Sequence, residues 1–301
     1  MSVRADHHSI AVPFAVATLG IALFSGMDAV MKQLTLAIGV YNAIFWRQIA
    51  GALFGGLAFF GTKGRWPARP VMRIHLIRGL VSAVMGLLFF WGLARVPLAQ
   101  GVALAFVAPL ISLYLAALIL KEKIERRAVL ASLLGFAGVL VIMAAQAEAK
   151  LGPDAFRGAL AILASACLYA VNIILMRKQA LVAGPVEIAF FISTVMTFWF
   201  ALAAPWLAVM PAPRHWLPIG GAAGLAFASL MLLSWAYARA EAQHLAPVEY
   251  SGFVWAALFG LLFFAEPVRP LTLAGATLIV AGCILAARGR KEHVADVEAA
   301  L

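Results

Sequence analysis

Ten stretches of about twenty mostly apolar residues recur along this chain, and no other feature constrains its fold as much. They lie near residues 10–31, 38–60, 71–94, 97–119, 127–146, 157–177, 185–208, 215–237, 243–264 and 270–288. A helix needs about 20 such residues to cross the hydrocarbon core of a bilayer. Of the 301 residues, 64% are hydrophobic and only 12% are charged, where soluble domains carry about a quarter charged residues. No globule of this length could hide so much apolar surface from water, so lipid has to be the solvent.

The connections between the stretches are short. Val96-Pro97 separates the third from the fourth, and Glu266-Pro267-Val268-Arg269-Pro270 separates the ninth from the tenth. Proline cannot donate a backbone hydrogen bond and pushes its predecessor away from helix. No connection is long enough for a soluble domain, so residues 1–301 read as one membrane domain. The first apolar run is longer than that of a signal peptide and has no clear cleavage site, which makes it a retained span. Cys167 and Cys283 lie inside apolar stretches without zinc or redox spacing and read as small packing residues.

The net charge of +10 does not point to nucleic acid. The basic residues sit in short bursts between uncharged stretches, a pattern that suits an anionic membrane surface. With ten spans, both termini and every second loop share a side. That side carries 16 Lys or Arg against six on the other, with Arg47 inside a span. Positively charged loops stay cytoplasmic, so both termini, including the polar tail 289–301, are expected in the cytoplasm of a bacterial inner membrane.

Sliding the sequence by 144 positions brings rare residues into register. Trp91 falls on Trp235, Arg95 on Arg239, Glu122 on Glu266, Ala137-Gly138 on Ala281-Gly282, Asp28 on Asn172 and Gln100 on His244. Residues 10–146 and 157–288 thus form two repeats of five spans. Five is odd, so the second repeat enters the membrane upside down relative to the first, a recurring plan of secondary transporters. The expected fold is all-α: ten transmembrane helices as two inverted five-helix repeats around a central cavity.

Certain short stretches carry a family likeness. They are Trp91-Gly92-Leu93-Ala94-Arg95 into Pro97, Lys121-Glu122-Lys123 with Gly138, and Trp235-Ala236-Tyr237-Ala238-Arg239 through Glu266 to Gly275 and Gly282. With ten spans and a glutamate closing the fourth span of each half, the chain resembles the drug/metabolite transporter superfamily. It is most similar to the EamA-type ten-helix bacterial exporters, a group that includes exporters of amino acids, aromatic ones among them. The resemblance implies export of small metabolites driven by a proton or substrate gradient. It also implies a cavity lined by spans one, three, four, six, eight and nine. Position 131, where the first half should carry a glycine, is alanine.

The residues themselves nominate a site. Asp28 is the one charge in the first apolar run, and a carboxylate at mid-membrane costs about 2.5–3.5 kcal/mol on insertion scales. It either serves the cavity or pairs near the interface with Lys32, one helical turn on. Asn172 holds the matching place in span six, one turn after Tyr169, so the two could grip a solute near the pseudo-symmetry axis. Ser82 and Tyr169 add polar contacts, and aromatics such as Phe106 and Tyr250 suit an amphipathic solute of amino-acid size. Arg47 either binds a substrate carboxylate bidentately or pairs internally. Glu249, following Pro247, either carries a coupling proton or starts a helix at the interface. Pro109 marks a kink in span four, flanked by Phe106 and Ser112. Glu122 and Glu266 occupy places suited to gate or turn contacts, and Trp46, Trp91 and Trp235 to an interfacial belt.

Other function classes fit less well. No Walker A pattern is present, which argues against ATP hydrolysis. The histidines at 7, 8, 75, 215, 244 and 293 are scattered, and neither His-Glu-x-x-His nor Gly-x-Ser-x-Gly occurs, so no metal, cofactor or catalytic residue is expected. A channel would show rings of repeated polar residues. The reading is therefore a secondary-active exporter of small metabolites, with amino acids as the leading class, working as a monomer or homodimer. An uptake permease or sugar-nucleotide-type carrier of the same superfamily is the alternative.

Overall fold

The computed structural model describes residues 11–108, 110–111, 114–115, 126–148, 152–237, 239 and 242–288. Among these the secondary structure is helical, without strands. The helices are α1 (Ala11–Ile38), α2 (Val40–Gly61), α3 (Arg69–Leu93), α4 (Leu98–Ala105), α5 (Arg126–Glu148), α6 (Gly152–Ala180), α7 (Pro185–Ala201), α8 (Pro213–Tyr237), α9 (Ala242–Phe264) and α10 (Pro270–Arg288). A single extra turn follows α7 at Ala204–Leu207. Five helical stretches are long and apolar enough to cross a membrane by themselves, and shorter apolar stretches mark four more. Nine of the ten expected spans thus have their helices, with most ends agreeing within a few residues; of the fourth, the described residues show α4 and a few positions beyond it. The first is an exception: α1 runs on past Met31 to Ile38, because Gln33 and Thr35 interrupt the apolar run without breaking the helix.

Lipid-facing surface is apolar. Leu53, Leu57 and Phe60 on α2, and Leu133, Phe136 and Leu140 on α5, are all exposed. Their spacing of three and four residues makes one stripe per helix. Polar residues take the opposite place: Asp28, Lys32, Gln48, His75, Arg78, Ser82, Asn172 and Gln179 are buried.

The major helix contacts map onto themselves when α1–α5 are exchanged with α6–α10. Packing of α1 on α8 matches α3 on α6, α1 on α9 matches α6 on α4, and α2 on α8 matches α7 on α3. The pairs α2–α7, α4–α9 and α5–α10 are their own counterparts. Directions follow from individual contacts. On α1 and α9, Ser25 meets Gly252 and Lys32 meets Glu266, so these helices run parallel. On α3 and α6, Met85 meets Ser165 and His75 meets Gln179, so these run opposed. The second repeat is thus inverted relative to the first.

The residues that signal the repeat in sequence build the same device twice. The Arg95 guanidinium lies 3.5 Å from the Trp91 ring centroid and donates to the Trp91 carbonyl at 2.7 Å. Arg239 lies 4.1 Å from the Trp235 ring and donates to the Trp235 carbonyl at 3.2 Å. A cation over an indole face at the end of a helix satisfies a free carbonyl and complements the helix dipole.

Register differs in the last helix of each half. At the α5–α10 crossing, a Cβ added to Gly138 would lie 2.5 Å from the Gly275 carbonyl oxygen and 2.6 Å from Ile279. One added to Gly275 would lie 2.7 Å from the Gly138 oxygen and 2.6 Å from Ile142. Exchanging 138 with 275 and 142 with 279 reproduces the contact. The structural pairing therefore places Gly138 with Gly275, two helical turns from the alignment that put it on Gly282. Alanine at 131 is no longer a missing glycine: the close approach in the first half is made by Gly138.

Helix α4 ends short of Pro109, a residue that lies outside the described ones. The α-helix stops at Ala105, four residues earlier, and turns at Phe106 and Val107 before helical structure resumes at Ala108. A proline both lacks the N–H that would bond the carbonyl four residues back and crowds that carbonyl. The described residues show the helix interrupted one turn ahead of position 109. At the end of α9, Ala265 adopts a left-handed conformation, φ 52°, and the Glu266 N–H bonds back to the Gly260 carbonyl.

Two outcomes test this packing. Gly138→Leu and Gly275→Leu should each destabilise the detergent-solubilised protein by about 1–3 kcal/mol, the usual cost of overpacking. Gly221→Ala, with nothing within 4 Å of its added carbon, should leave the melting temperature unchanged or raise it. Ala265→Gly relieves a left-handed conformation that costs about 1–2 kcal/mol for a residue with a Cβ and should raise the melting temperature; a fall would contradict the assigned turn.

Candidate functional site

The buried polar residues fall into three connected groups. The first is built on α1 and α2. Asp28 faces inward from α1 at 5% exposure, and no hydrogen bond or ion pair reaches it among the described residues. Arg47 on α2 is its electrostatic partner, and the Arg47 Nε is buried without a hydrogen bond. The two charges attract without closing into a contact pair. One turn before Asp28, Ser25 donates to the Gly252 carbonyl of α9 at 3.5 Å. Phe106 and Tyr250 meet edge to face beside it, with centroids 5.5 Å apart at 89°. A Cβ on Gly252 would touch both Ser25 and Phe106. The expected residues Asp28, Arg47, Phe106 and Tyr250 thus gather around one stretch of α1.

The second group lies between α3 and α6. Asn172 Oδ1 accepts from Arg78 Nε at 3.2 Å and from the Ser82 hydroxyl at 3.3 Å. Arg78 also donates to Gln179 Oε1. The Gln179 side-chain amide meets His75 Nδ1 at 2.5 Å, and His75 Nε2 meets Glu187 Oε1 of α7 at 3.1 Å. This makes one unbroken line of hydrogen bonds from Glu187, 21% exposed, to the middle of the helix pair. Tyr169 is 39% exposed and stands in electrostatic range of Arg78. Asn172 and Ser82 therefore meet each other, as acceptor and donor in a closed network.

The third group holds Lys32. Its ammonium donates to the Val96 carbonyl at 2.7 Å and to Glu266 Oε1 at 2.5 Å, and it lies 4.9 Å from the Phe264 ring. The second carboxylate oxygen accepts the Leu98 N–H at 2.8 Å. This contact ties α1 to the α3–α4 and α9–α10 turns. Glu266 lies in the turn after α9, and Lys32 pairs with it rather than with Asp28. Glu122, Pro109, Ser112 and the side chain of Glu249 lie outside the described residues. A cleft of about 370 Å³ also opens beside Thr35, Trp91 and Arg95, and none of the expected site residues line it.

Sequence reading does not single out His75, Arg78 and Gln179, and it gives Lys32 a different partner. Arg78 was available to it, since position 78 falls well inside the third apolar stretch and qualifies as an intramembrane charge like Arg47. Lys32 lies just past the first apolar run, where the helix was taken to end. Moving both inside removes one charge from each side of the tally, and the asymmetry between sides survives. His75 and Gln179 had no signal in spacing; only the helix crossing brings them together.

Comparison with known proteins agrees with this architecture. The EamA-like transporter family matches the chain twice, over residues 13–144 and 156–288. The chain is 28% identical over 279 residues to the pseudopaline exporter CntI of Pseudomonas aeruginosa, covering 92% of this chain and 96% of that one. It is 24% identical to an S-adenosylmethionine uptake transporter of Rickettsia bellii, over 87% of this chain and 88% of that one. It is 25% identical to a riboflavin transporter of Vibrio cholerae, over 93% of each. A crystal structure of a protein 23% identical superposes with a TM-score of 0.62 over 94% of this chain and 99% of that one, showing the same fold. Two inverted helical repeats, polar groups turned inward and a family match over both halves lead to one conclusion: the chain belongs to the EamA-like transporter family of membrane transporters.

Proposed function

We propose that this transporter is a secondary-active exporter of small metabolites, amino acids foremost, working by alternating access across the bacterial inner membrane with both termini cytoplasmic. The observation that carries the reading is the unclosed charge pair of Asp28 and Arg47 inside the membrane. Buried charges without contact partners are expensive, and they persist where a ligand or a moving part supplies the missing partner. A negative group and a positive group with an aromatic edge nearby suit a zwitterion with an amphipathic side chain. The relatives' names support small organic solutes generally, one of them exported and others taken up. Residues 10–146 and 157–288 act as the two exchanging halves in this reading. A gradient of protons or of the solute itself supplies the energy, with Glu249 as a proton carrier.

Glu266 acts as a gate. Its contact with Lys32 closes the end of the molecule that the charge asymmetry places outside, and alternating access requires that contact to break. Removing one partner of a buried ion pair costs about 3–5 kcal/mol, which falls on the closed state alone if the pair separates on opening.

Flux in proteoliposomes provides the main test. Wild type should accumulate a subset of the twenty amino acids under an imposed pH or solute gradient. Asp28→Asn and Arg47→Gln should each lower the initial rate at least tenfold without changing the melting temperature by more than a few degrees. No accumulation of any amino acid would move the assignment to another solute class of the family. For the gate, a single cysteine at Ser25, with Cys167 and Cys283 replaced by alanine, reports opening. Glu266→Gln should raise its labelling by an impermeant thiol reagent several-fold; equal or slower labelling argues against a gate there.

A further inference from the structure

The two halves differ at one set of equivalent positions in a way that points to a ligand. In the α3–α6 crossing, Asn172 faces Arg78 and Ser82 and accepts a hydrogen bond from each. In the α1–α8 crossing, the 144-residue register places Asp28 where Asn172 stands. It places Ala222 and Ala226 where Arg78 and Ser82 stand. The register holds for these helices. Gly26 faces Leu225 and Gly20 faces Leu233, one and three residues from the heights that Arg78 facing Asn172 and Met85 facing Ser165 would set, so the two crossings agree to within about one helical turn.

One half thus carries a neutral acceptor with its donors built in. The other carries a charged acceptor opposite alanines that can donate nothing. Asp28 is 95% buried by its 5% exposure, and nothing among the described residues bonds to it. Arg47 lies in electrostatic range with its own Nε unpartnered. The aromatic pair Phe106–Tyr250 stands about one helical turn away along α1.

We propose that Asp28 receives the ammonium group of the transported solute, in the place that the mirrored crossing fills with the Arg78 guanidinium. The solute is an α-amino-acid zwitterion, its carboxylate toward Arg47 and its side chain toward Phe106 and Tyr250. This rests on the transport reading above and names the chemistry that its site recognises. Alanine at 222 and 226 leaves Asp28 without a built-in donor from α8. The cluster at Asn172 already holds its donors and needs none from a solute.

The test uses the full chain purified in detergent, with melting temperature titrated against the twenty amino acids, the corresponding amines and the corresponding 2-oxo acids. A ligand that binds the folded state raises that temperature by mass action. At least one amino acid should give a saturable rise that its 2-oxo acid does not give at equal concentration. Asp28→Asn, which copies the residue already tolerated at 172, should weaken the apparent affinity at least tenfold, and Asp28→Glu should retain part of it. Ala222→Arg, which installs a guanidinium opposite Asp28, should abolish the response. A 2-oxo acid that binds as well as its amino acid overturns the proposal, and so does wild-type affinity in Asp28→Asn. If Ala222→Arg does not fold, the Asp28→Asn comparison alone decides. Proteoliposome flux separates this from the transport reading. Transport of a solute without an amine, unaffected by Asp28→Asn, sinks the ammonium site and leaves the transporter standing. Absence of flux for every solute tried sinks both.

Discussion

Hydrocarbon offers no hydrogen-bond partner, so a chain immersed in it must satisfy its backbone within helices and turn its polar side chains toward one another. The rest of this molecule follows from that requirement. Exposed stripes on α2 and α5 are leucine and phenylalanine. Inside, Lys32 finds Glu266 and a carbonyl, while Arg78 finds Asn172 and Gln179. Because apolar attraction between helices is weak where the solvent is itself apolar, contact depends on close fit, and small residues at crossings allow it. Gly138 against Gly275 and Gly92 against Gly158 bring backbones to within a distance that no side chain could share.

Against this satisfied background Asp28 stands apart. The network from Glu187 through His75, Gln179 and Arg78 to Asn172 has a partner for each group along it. Glu266 uses both carboxylate oxygens, one toward the Lys32 ammonium and one toward the Leu98 N–H. Among the described residues, Asp28 and Arg47 are opposite charges that lie in range without meeting. Two kinds of polar cluster therefore coexist in one bundle. One kind fixes helices in place, and the other keeps its bonding capacity in reserve.

Much of this fold was legible in sequence because membrane helices announce themselves by length and hydropathy alone. The repeat was legible through Trp91, Arg95, Trp235 and Arg239, whose rarity makes a match informative and whose stacking shows why each half retains them. Asp28 and Arg47 were legible as charges where charges are costly. What escaped were quantities set by three-dimensional crossing. The α5–α10 register escaped because alanine and glycine recur too often to align, so that a shift of two turns changed little in the match. The partner of Lys32 escaped because Glu266 is 234 positions away and reaches it only through the parallel packing of α1 on α9. Arg78 escaped for a different reason, since a rule for loops was applied to a residue within a helix.

The reciprocal seam between α5 and α10 carries a kinematic implication. If inward-open and outward-open forms arise by the halves trading shapes, any contact between unlike helices must trade too: what α1–α8 does in one form, α3–α6 does in the other. A contact that is its own mirror image has nothing to trade. The Gly138–Gly275 seam can keep a single geometry through the whole cycle, as a keel does while the hull rocks about it. Motion is then left to the crossings on either side, where the two halves have stopped being alike.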